Sequence, residues 1–316
     1  MERLDGGSAV PTHLRGGIVA LGNFDGFHRG HQAVVHRAVE LGRAQERPVL
    51  VATFDPHPAR LFHPDAPPFR LTTLDQRERL FGVAGADAML VFHFDKALAA
   101  VSAEDFVHDY LHDRISAAGV VTGRDFTFGR GRRGNVELLQ NLGVKNNVTV
   151  DAVPPVLFED EPVSSSRIRA ALVDGDCAAA TRLMTRPFAI EGLVEHGDKR
   201  GRELGFPTAN LMLGKYLRPR FGVYAVRGHL ADGRIFEGAA NVGIRPQFAP
   251  PKELLEAHFF DFDGDLYGQC LEVELIAWIR PEMKFESLEA LSRQIEADCA
   301  EARRRLADAA VAAGGI

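Results

Sequence analysis

The pattern of apolar residues changes once along the chain, near residue 187, and this change constrains the fold more than any other feature. Before it, short apolar runs alternate with amphipathic stretches, which is typical of a parallel sheet covered by helices. After it, single apolar residues alternate with polar ones between Gly and Pro turns, which is typical of antiparallel strands. The 316 residues suffice for two domains. We therefore predict an α/β domain over residues 1–185 and an antiparallel β domain over residues 186–316.

In the first part, the sequence predicts five strands and two well-marked helix starts. Thr73 and Gln76 have the spacing of a capping box, so a helix should begin at the residue after Thr73. Ser102 and Asp105 repeat this spacing and predict a second helix start. The proline-rich residues 56–68 cannot continue a strand or a helix, so we predict a loop there. The predicted strands are Ile18–Leu21, Val49–Thr53, Ala88–Phe92, Val120–Thr122 and Val148–Val150.

The second part contains a hairpin signal and ends in a predicted helix. Asp232 and Gly233 separate two apolar segments, and this dipeptide suits the positive φ angles of a tight turn. Near the end of the chain, Ser287 is placed to cap a helix whose apolar stripe should lie on the sheet or barrel. The stripe consists of Leu288, Leu291, Ile295, Ala302 and Leu306.

Charge and cysteine usage narrow the class of protein. With 37 basic and 43 acidic residues, the formal net charge is -6, which disfavours a general nucleic-acid binder. Cys177, Cys270 and Cys299 have no metal-binding or CxxC spacing, which favours a reducing compartment. No apolar run reaches the roughly 18 residues of a membrane-spanning helix, and residues 1–17 lack the pattern of a secretory leader. We expect a cytoplasmic protein that binds neither nucleic acid nor membranes.

The first predicted strand runs into a glycine-rich turn, residues 22–31 (GNFDGFHRGH), and then into a helix. Glycines at such a turn allow backbone N–H groups to approach a phosphate, and the helix N-terminus behind them favours an anion. His28 and His31 would share one face of the helix and could both donate to phosphate oxygens. A glycine-rich turn or a single His is often structural, but HxGH after a strand favours phosphate chemistry.

The HxGH sequence in this position resembles the nucleotidylyltransferase superfamily of α/β folds. A second motif agrees with this resemblance: residues 163–169 (VSSSRIR) look like the superfamily's downstream ISSTxxR sequence. There, a hydroxyl-rich helix start is followed by an Arg that reaches the nucleotide phosphates. Hydroxyls can cap a helix or bind phosphate, and Arg suits bidentate oxyanion contacts. Taken alone, the segment would be a Ser-capped helix with solvated arginines.

Three further segments narrow the resemblance to the bacterial bifunctional riboflavin kinase and FAD synthetase family, over about residues 15–310. They are residues 53–58 (TFDPHP), 123–131 (GRDFTFGRG) and, above all, 205–210 (GFPTAN). The resemblance implies a Rossmann-like nucleotidylyltransferase domain with a parallel sheet, then an antiparallel β-barrel riboflavin kinase domain with a terminal helix. The barrel would phosphorylate riboflavin to FMN. The first domain would join FMN to a second ATP, giving FAD and pyrophosphate, with Mg²⁺ expected at both sites.

The resemblance also implies roles for residues of the first domain. His28 and His31 would be catalytic, with the rest of their turn and two later segments binding ATP and its phosphates. The implied binding residues are Gly22, Phe24, Asp25, Gly26, Asp125, Ser164, Ser165, Ser166 and Arg169.

In the second domain, the resemblance places the catalytic base at Glu256. Thr208 and Asn210 lie two apart on an extended segment, so their side chains would point to one side and could hold Mg²⁺ through oxygen. Without the family, the same segment would be interpreted as a turn. Lys199 and Gln247 depart from the family pattern, in which Gly and Thr are common. The implied ATP- and flavin-binding residues are Gly201, Arg202, Gly205, Pro207, Thr208, Asn210, Asn241 and Arg245.

Two other functions remain open from the sequence. One is a single-activity nucleotidylyltransferase whose barrel only binds flavin. The other is a non-catalytic flavin sensor that retains both pockets. The GFPTAN segment together with Glu256 argues against both, because a passive binder does not need a metal-binding pair and a base.

Overall fold

The computed structural model describes residues 1–196, 205–245 and 252–314, with side chains described as far as residue 311. The chain divides into two compact units. The first contains Met1–Pro67 and Thr72–Ser164, and the second contains Pro68–Leu71 and the chain from Ser165 onwards. A domain boundary after residue 185 stays a prediction. No helix in the described ranges is both long and apolar enough to cross a membrane.

A six-stranded parallel sheet forms the centre of the first unit. All five predicted strands are confirmed, and β1, at one edge, was not predicted. The strands lie in the order β1-β4-β3-β2-β5-β6, so the order reverses beside β2. Their bounds are β1 (Glu2–Asp5), β2 (Ile18–Leu21), β3 (Val49–Asp55), β4 (Ala88–His93), β5 (Gly119–Gly123) and β6 (Thr149–Val153).

Both faces of this sheet are covered by apolar cores. In β2, Val19 and Leu21 belong to one buried cluster, and Ile18 and Ala20 belong to another. Alternate residues of a strand point to opposite faces, so each face of β2 packs against its own core. This explains why β2 is a continuous apolar run, as is typical of central strands in parallel sheets.

Helices connect the strands, and their starts follow local capping chemistry. Thr73 and Gln76 form the predicted capping box, and the Ser102 side chain accepts a hydrogen bond from the Asp105 N–H at 3.0 Å. The helices are α1 (Arg29–Ala44), α2 (Pro58–Phe62), α3 (Leu74–Val83), α4 (Lys96–Ala100), α5 (Ala103–Asp105) and α6 (Val136–Lys145). A π-helix at Phe106–Arg114 follows α5, short 3₁₀ turns occupy Thr12–Leu14 and Arg130–Arg132, and β7 (Leu157–Phe158) pairs with β8 (Glu161–Pro162).

The predicted loop over residues 56–68 is wrong in part, because α2 lies within it. Pro58 occupies the first position of α2, where its missing N–H costs nothing and its fixed φ suits a helix. The ring of His57 accepts a hydrogen bond from the Ala59 N–H at 3.2 Å and so caps the helix. Proline excluded a helix interior here but not a helix start.

The second unit contains a nearly closed antiparallel barrel, as predicted. Its strands lie in the order β10-β13-β12-β11-β14-β9, and a bridge between Glu195 and Asn210 joins the two ends of this order. Two helices precede the barrel, and α9 packs on β11, β12 and β14. The bounds are α7 (Ser165–Asp174), α8 (Cys177–Met184), β9 (Phe188–Leu193), β10 (Ala209–Met212), β11 (Gly222–Leu230), β12 (Ile235–Arg245), β13 (Lys252–Phe259), β14 (Cys270–Arg280) and α9 (Leu288–Gly314).

The predicted hairpin and terminal helix are both confirmed. Asp232 and Gly233 connect β11 to β12, with φ of 89° at Gly233. The Ser287 hydroxyl accepts a hydrogen bond from the Ala290 N–H at 3.1 Å at the start of α9. Within the predicted apolar stripe, Ala302 and Leu306 are fully buried, but Leu288 is 65% exposed. Leu288 is the first residue of α9 and lies before the part of the stripe that reaches the core.

We expect residues 186–316 to fold alone as a riboflavin kinase, and we expect a fragment that also contains α7 and α8 to be more stable. Helix α8 packs on β9 and β14, and its Leu183 and Met184 are buried. Burying two such side chains contributes about 3–6 kcal/mol, at about 1.5–3 kcal/mol each. Urea unfolding of fragments 186–316 and 165–316, followed by circular dichroism, would measure this difference. Equal unfolding free energies of the two fragments would contradict the expected contribution of α7 and α8. A folded fragment 186–316 without kinase activity would contradict the predicted domain boundary.

Candidate active sites

The turn after β2 lies where the strand order of the parallel sheet reverses. β2 has β3 on one side and β5 on the other, and the chain leaves it at the carboxyl edge of the sheet. In open α/β sheets, ligands bind in the crevice at such a switch point. The predicted phosphate-binding turn therefore stands where this fold creates a crevice.

The backbone of this turn adopts a sparsely populated conformation. Gly26 has φ of 85°, which glycine adopts readily, but Phe24 and Phe27 have φ of 51° and 39°. Such angles cost about 1–3 kcal/mol at a non-glycine residue and persist only where the surroundings enforce them. Both rings are buried and pack edge-to-face on Phe81. A Cβ on Gly22 would lie 3.1 Å from the Phe24 ring, so the turn has little room for a larger residue.

His28 and His31 lie together at the start of α1. His28 is the N-cap residue, and its Nδ1 accepts a hydrogen bond from the His31 N–H at 3.4 Å. The two imidazole rings stack with centroids 3.6 Å apart and 19° between their planes. His28 is buried, and the Phe24 ring meets His31 edge-on at 5.3 Å. The two rings thus share one face beside a helix N-terminus, where an anion is favoured.

Asp25 ties the turn to the chain that precedes α3. This carboxylate is 2% exposed, and its Oδ1 accepts a hydrogen bond from the Thr72 N–H at 3.1 Å. In return, the Gly26 N–H donates to Thr72 Oγ1 at 3.0 Å. These contacts give Asp25 a structural role in the turn, while its predicted contact with ATP stays a prediction.

A buried arginine that the sequence did not reveal supports the same turn. Arg77 is 2% exposed, and its Nη1 donates to the Asn23 carbonyl at 3.1 Å and to Thr53 Oγ1 at 3.0 Å. The Thr53 hydroxyl donates to the same carbonyl at 2.9 Å. Arg77 thus fixes the residue between Gly22 and Phe24. No sequence signal marked it, because an Arg in an amphipathic helix is usually solvated.

The remaining predicted residues of this site lie in two places. Asp125 is exposed, two residues beyond the carboxyl end of β5. Ser164 belongs to the first unit, and the preceding carbonyl oxygen would lie 3.7 Å from a Cβ on Gly30, next to the start of α1. Helix α7 begins at Ser165, as the motif predicts.

Ser165, Ser166 and Arg169 belong to the second compact unit. Ser166 is exposed in the first turn of α7, and Arg169 Nε donates to the Phe69 carbonyl at 2.8 Å. The contact of these three residues with nucleotide phosphates stays a prediction from the motif.

In the barrel, three predicted residues lie in one row across neighbouring strands. Asn210 on β10 is the register partner of Glu256 on β13, and Glu256 is the partner of Asn241 on β12. Directly opposed residues of antiparallel strands present their side chains on the same face. The Glu256 side chain is 24% exposed, and Asn210 is 4% exposed. The predicted base therefore stands half-buried between two amide side chains.

Two charged residues, Arg245 and Glu282, contact the side chains of this row. Arg245 contacts the Glu256 carboxylate directly through Nη2 and donates to Glu282 Oε1 at 3.2 Å through Nη1. Asn241 Nδ2 donates to the same Glu282 oxygen at 2.9 Å. No motif marks Glu282, which follows the end of β14. A Cβ on Gly243 would lie only 2.2 Å from this oxygen, so the glycine makes room for the Glu282 carboxylate.

Of the two residues predicted to bind Mg²⁺, Asn210 has a side-chain oxygen that fits a hard cation. Asn210 Oδ1 is buried and accepts no hydrogen bond from the described residues. Leaving a buried amide oxygen without a partner is unfavourable, and such an oxygen is a suitable ligand for Mg²⁺. Thr208, two residues earlier, is half-buried, and its carbonyl oxygen lies 3.5 Å from Asn210 Nδ2. The Asn210 amide therefore directs its nitrogen to the protein and keeps its oxygen for a ligand.

The other predicted kinase residues lie at the start of the GFPTAN segment or before it. Gly205 has φ of 86°, and the Pro207 carbonyl lies 3.0 Å from His258 Nδ1. Gly201 and Arg202, together with the departures Lys199 and Gln247, lie outside the described residues.

Each half of the chain matches the model of a known protein family. Residues 10–167 match the family model of FAD synthetase, and residues 184–306 match that of riboflavin kinase. The chain is therefore an enzyme of the bifunctional class, with an FAD synthetase domain followed by a riboflavin kinase domain.

Curated relatives extend this match to nearly the whole chain. A bifunctional riboflavin kinase/FMN adenylyltransferase of Pseudomonas fluorescens is 42% identical over 305 residues, which is 95% of this chain and 96% of that protein. The protein of the same name from Escherichia coli K12 is 40% identical and covers 91% of this chain and 92% of its own length. The chain belongs to the bifunctional riboflavin kinase/FMN adenylyltransferase family.

A solved structure has the same fold. It is a crystal structure described as a macrolide-efflux protein from Streptococcus pneumoniae, with a TM-score of 0.83 and 31% identity. The match covers 94% of this chain and 97% of that one.

Proposed function

We propose that the chain converts riboflavin to FAD in two steps, at two separate sites. In the first, the 5′-hydroxyl of riboflavin attacks the γ-phosphorus of ATP, giving FMN and ADP. In the second, an FMN phosphate oxygen attacks the α-phosphorus of another ATP, and pyrophosphate leaves. The observation that carries the proposal is the row of Asn210, Glu256 and Asn241. On one face of the barrel, it places a carboxylate beside an amide oxygen that accepts no hydrogen bond from the residues the structure describes.

At the adenylyltransferase site, His28 and His31 would stabilise the charge that develops on the α-phosphate. Their stacked rings and the α1 N-terminus present several N–H donors to one place. Preorganised donors of this kind are effective because they need no rearrangement during the reaction. The FMN phosphate is already an anion, so this step requires no general base.

At the kinase site, Glu256 would accept the proton of the riboflavin hydroxyl. Arg245 contacts the carboxylate, and Glu282 provides a second acceptor for the same guanidinium. Thr208 and Asn210 would hold Mg²⁺, which neutralises charge on the ATP phosphates when it is bound. At the other site, Mg²⁺ would be bound mainly by ATP phosphates and water, as is usual for this ion.

Neither reaction needs a covalent intermediate. The two cysteines Cys177 and Cys299 are not suited to form one, because their thiols are hard to ionise. Burial raises the pKa of Cys177 to about 12 and that of Cys299 to about 11, so neither thiol is ionised near neutral pH. The structure has all three cysteines as free thiols. These free thiols support our proposal of a cytoplasmic location.

Product analysis tests the proposed function. The protein is incubated with riboflavin, ATP and Mg²⁺, with and without EDTA, and the flavins are separated by chromatography. FMN and FAD should both form, and EDTA should prevent both. FMN alone would remove the adenylyltransferase assignment, and formation of neither product would favour a flavin-binding protein without activity.

Replacing Asn210 by Ala tests the proposed Mg²⁺ ligand. We expect the Mg²⁺ concentration for half-maximal FMN formation to rise by at least about 10-fold, because losing a ligand costs no less than losing an outer-shell partner, which typically costs 10–100-fold. FAD formation from supplied FMN should keep its original Mg²⁺ dependence and so serves as an internal control. An unchanged Mg²⁺ dependence of the kinase in a folded variant would exclude Asn210 as a ligand.

A further inference from the structure

The π-helix at Phe106–Arg114 brings together three side chains that neither proposed reaction uses. They are His108, His112 and Asp113. In an α-helix, residues five apart lie on different faces, but the i→i+5 hydrogen bonding of a π-helix brings them close together. His108 and Asp113 are five apart and therefore share a face only because this segment is a π-helix. Such segments occur frequently at functional sites.

The three side chains converge on one point of the surface. His112 Nδ1 lies 2.9 Å from Asp113 Oδ1, and His108 Nε2 lies 3.9 Å from Asp113 Oδ2. The two imidazole rings are nearly parallel, with 12° between their planes and 5.8 Å between their centroids. One ligand atom from each residue lies within 4.8 Å of the other two. Ligands of a tetrahedral ion with bonds of about 2.0–2.1 Å are roughly 3.3 Å apart, so small side-chain rotations would complete the geometry.

A neighbouring amide orients one of these rings. Asn146 ends α6, and its Nδ2 donates to the Leu142 carbonyl at 2.8 Å, which directs its Oδ1 outwards. This Oδ1 lies 3.2 Å from His108 Nδ1, so that nitrogen carries the proton and donates. His108 Nε2 is then the nitrogen with the lone pair, and it is the one that faces Asp113. A hydrogen bond of this kind on the far ring nitrogen is the usual support of a metal-binding histidine.

The electrostatics of the cluster favour a cation. His108 Nε2 and His112 Nδ1 both face the Asp113 carboxylate, whose negative charge attracts a cation. The side chains of His108, His112 and Asp113 are 60%, 45% and 55% exposed, which leaves them room to rotate and an ion room to approach.

We propose that His108, His112 and Asp113 bind one divalent transition-metal ion of the Zn²⁺ class, at a site distinct from those for Mg²⁺. Two imidazole nitrogens and one carboxylate suit Zn²⁺, whereas Mg²⁺ prefers oxygen ligands alone. Three protein ligands leave the fourth position of a tetrahedral ion to water. The site would link two turns of the π-helix and thereby stabilise the first compact unit.

Calorimetric titration of the metal-free full-length protein with Zn²⁺ tests this site. We expect one binding event that weakens at least tenfold in both His108→Ala and His112→Ala. The matched control is His13→Ala: His13 is also exposed and pairs with the carboxylate of Glu2 at 2.8 Å, but within the described residues it belongs to no cluster of three possible metal ligands. His13→Ala should bind Zn²⁺ like the wild type. Asn146→Ala should weaken binding by about tenfold, because His108 loses its orienting partner.

A second measurement separates this site from other Zn²⁺ contacts. Cu²⁺ bound at one equivalent should show nitrogen coordination in its electron paramagnetic resonance spectrum, and His108→Ala/His112→Ala should lose that signal. FMN and FAD formation with Mg²⁺ should be unchanged in all these variants, which shows that they are folded. Undiminished Zn²⁺ affinity in the double variant, or equal loss in His13→Ala, would overturn the proposal.

Discussion

Replacing His28 or His31 by Ala should reduce FAD formation from FMN and ATP by about 10²–10³-fold or more, while riboflavin phosphorylation stays intact. Each imidazole would act as a preorganised donor to the developing charge on the α-phosphate, and removal of one such donor typically costs this much in kcat. The stacked rings at the α1 N-terminus make the two losses interdependent, so the double variant should lose less than the product of the single effects. The measurement is the rate of each half-reaction with its own flavin substrate.

His28 also caps α1, and the experiment has to separate this role from catalysis. Loss of a cap costs about 0.5–2 kcal/mol of stability, so His28→Ala should melt earlier than the wild type. His28→Asn restores a good cap without an imidazole and should recover stability but not FAD synthesis. His36→Ala, an exposed residue of the same helix, is the matched control and should leave both activities unchanged. Equal loss of both activities in a folded variant would contradict the assignment.

Much of the first unit could be predicted from the sequence because its signals are local. The apolar run Ile18–Leu21 marks a central strand, and Thr73 with Gln76 marks a helix start; both depend on neighbouring residues only. β1 escaped prediction because its exposed, charged sequence becomes a strand only by pairing with β4. The π-helix also escaped, since helical periodicity does not distinguish i→i+4 from i→i+5 hydrogen bonding.

The site residues also differ in whether a local sequence signal could reveal them. His28 and His31 are close in sequence, so their shared face follows from their spacing. Arg77 and Glu282 contribute through contacts with residues 54 and 41 positions away, and each is an ordinary charged residue in its own segment. Their roles depend on which strands and helices become neighbours, and no local pattern contains that information.

Replacing Glu256 by Gln should lower the kcat of riboflavin phosphorylation by about 10²–10⁴-fold and change riboflavin affinity little. The hydroxyl that attacks ATP must lose its proton, and a carboxylate within reach typically contributes this much as a general base. Gln preserves the shape of the side chain and still offers Arg245 an oxygen, so the row across β10, β13 and β12 should persist. A group needed only in the transition state affects kcat more than KM. Steady-state kinetics with riboflavin as the varied substrate would measure both constants.

The rest of the molecule provides the controls for this variant. FAD formation from supplied FMN should be unchanged, because the FMN phosphate is already ionised and needs no base. Glu237→Gln removes another carboxylate of the barrel, paired with Arg227 at 3.2 Å on the neighbouring strand, and should leave the kinase unaffected. If Glu256→Gln forms FMN at nearly the wild-type rate, Glu256 holds Arg245 in place and is not the base. The base would then be sought at Asp261 or Asp263. Asp261 is 80% exposed and pairs with Arg303. It is therefore less suited than a half-buried carboxylate to accept a proton from a bound hydroxyl.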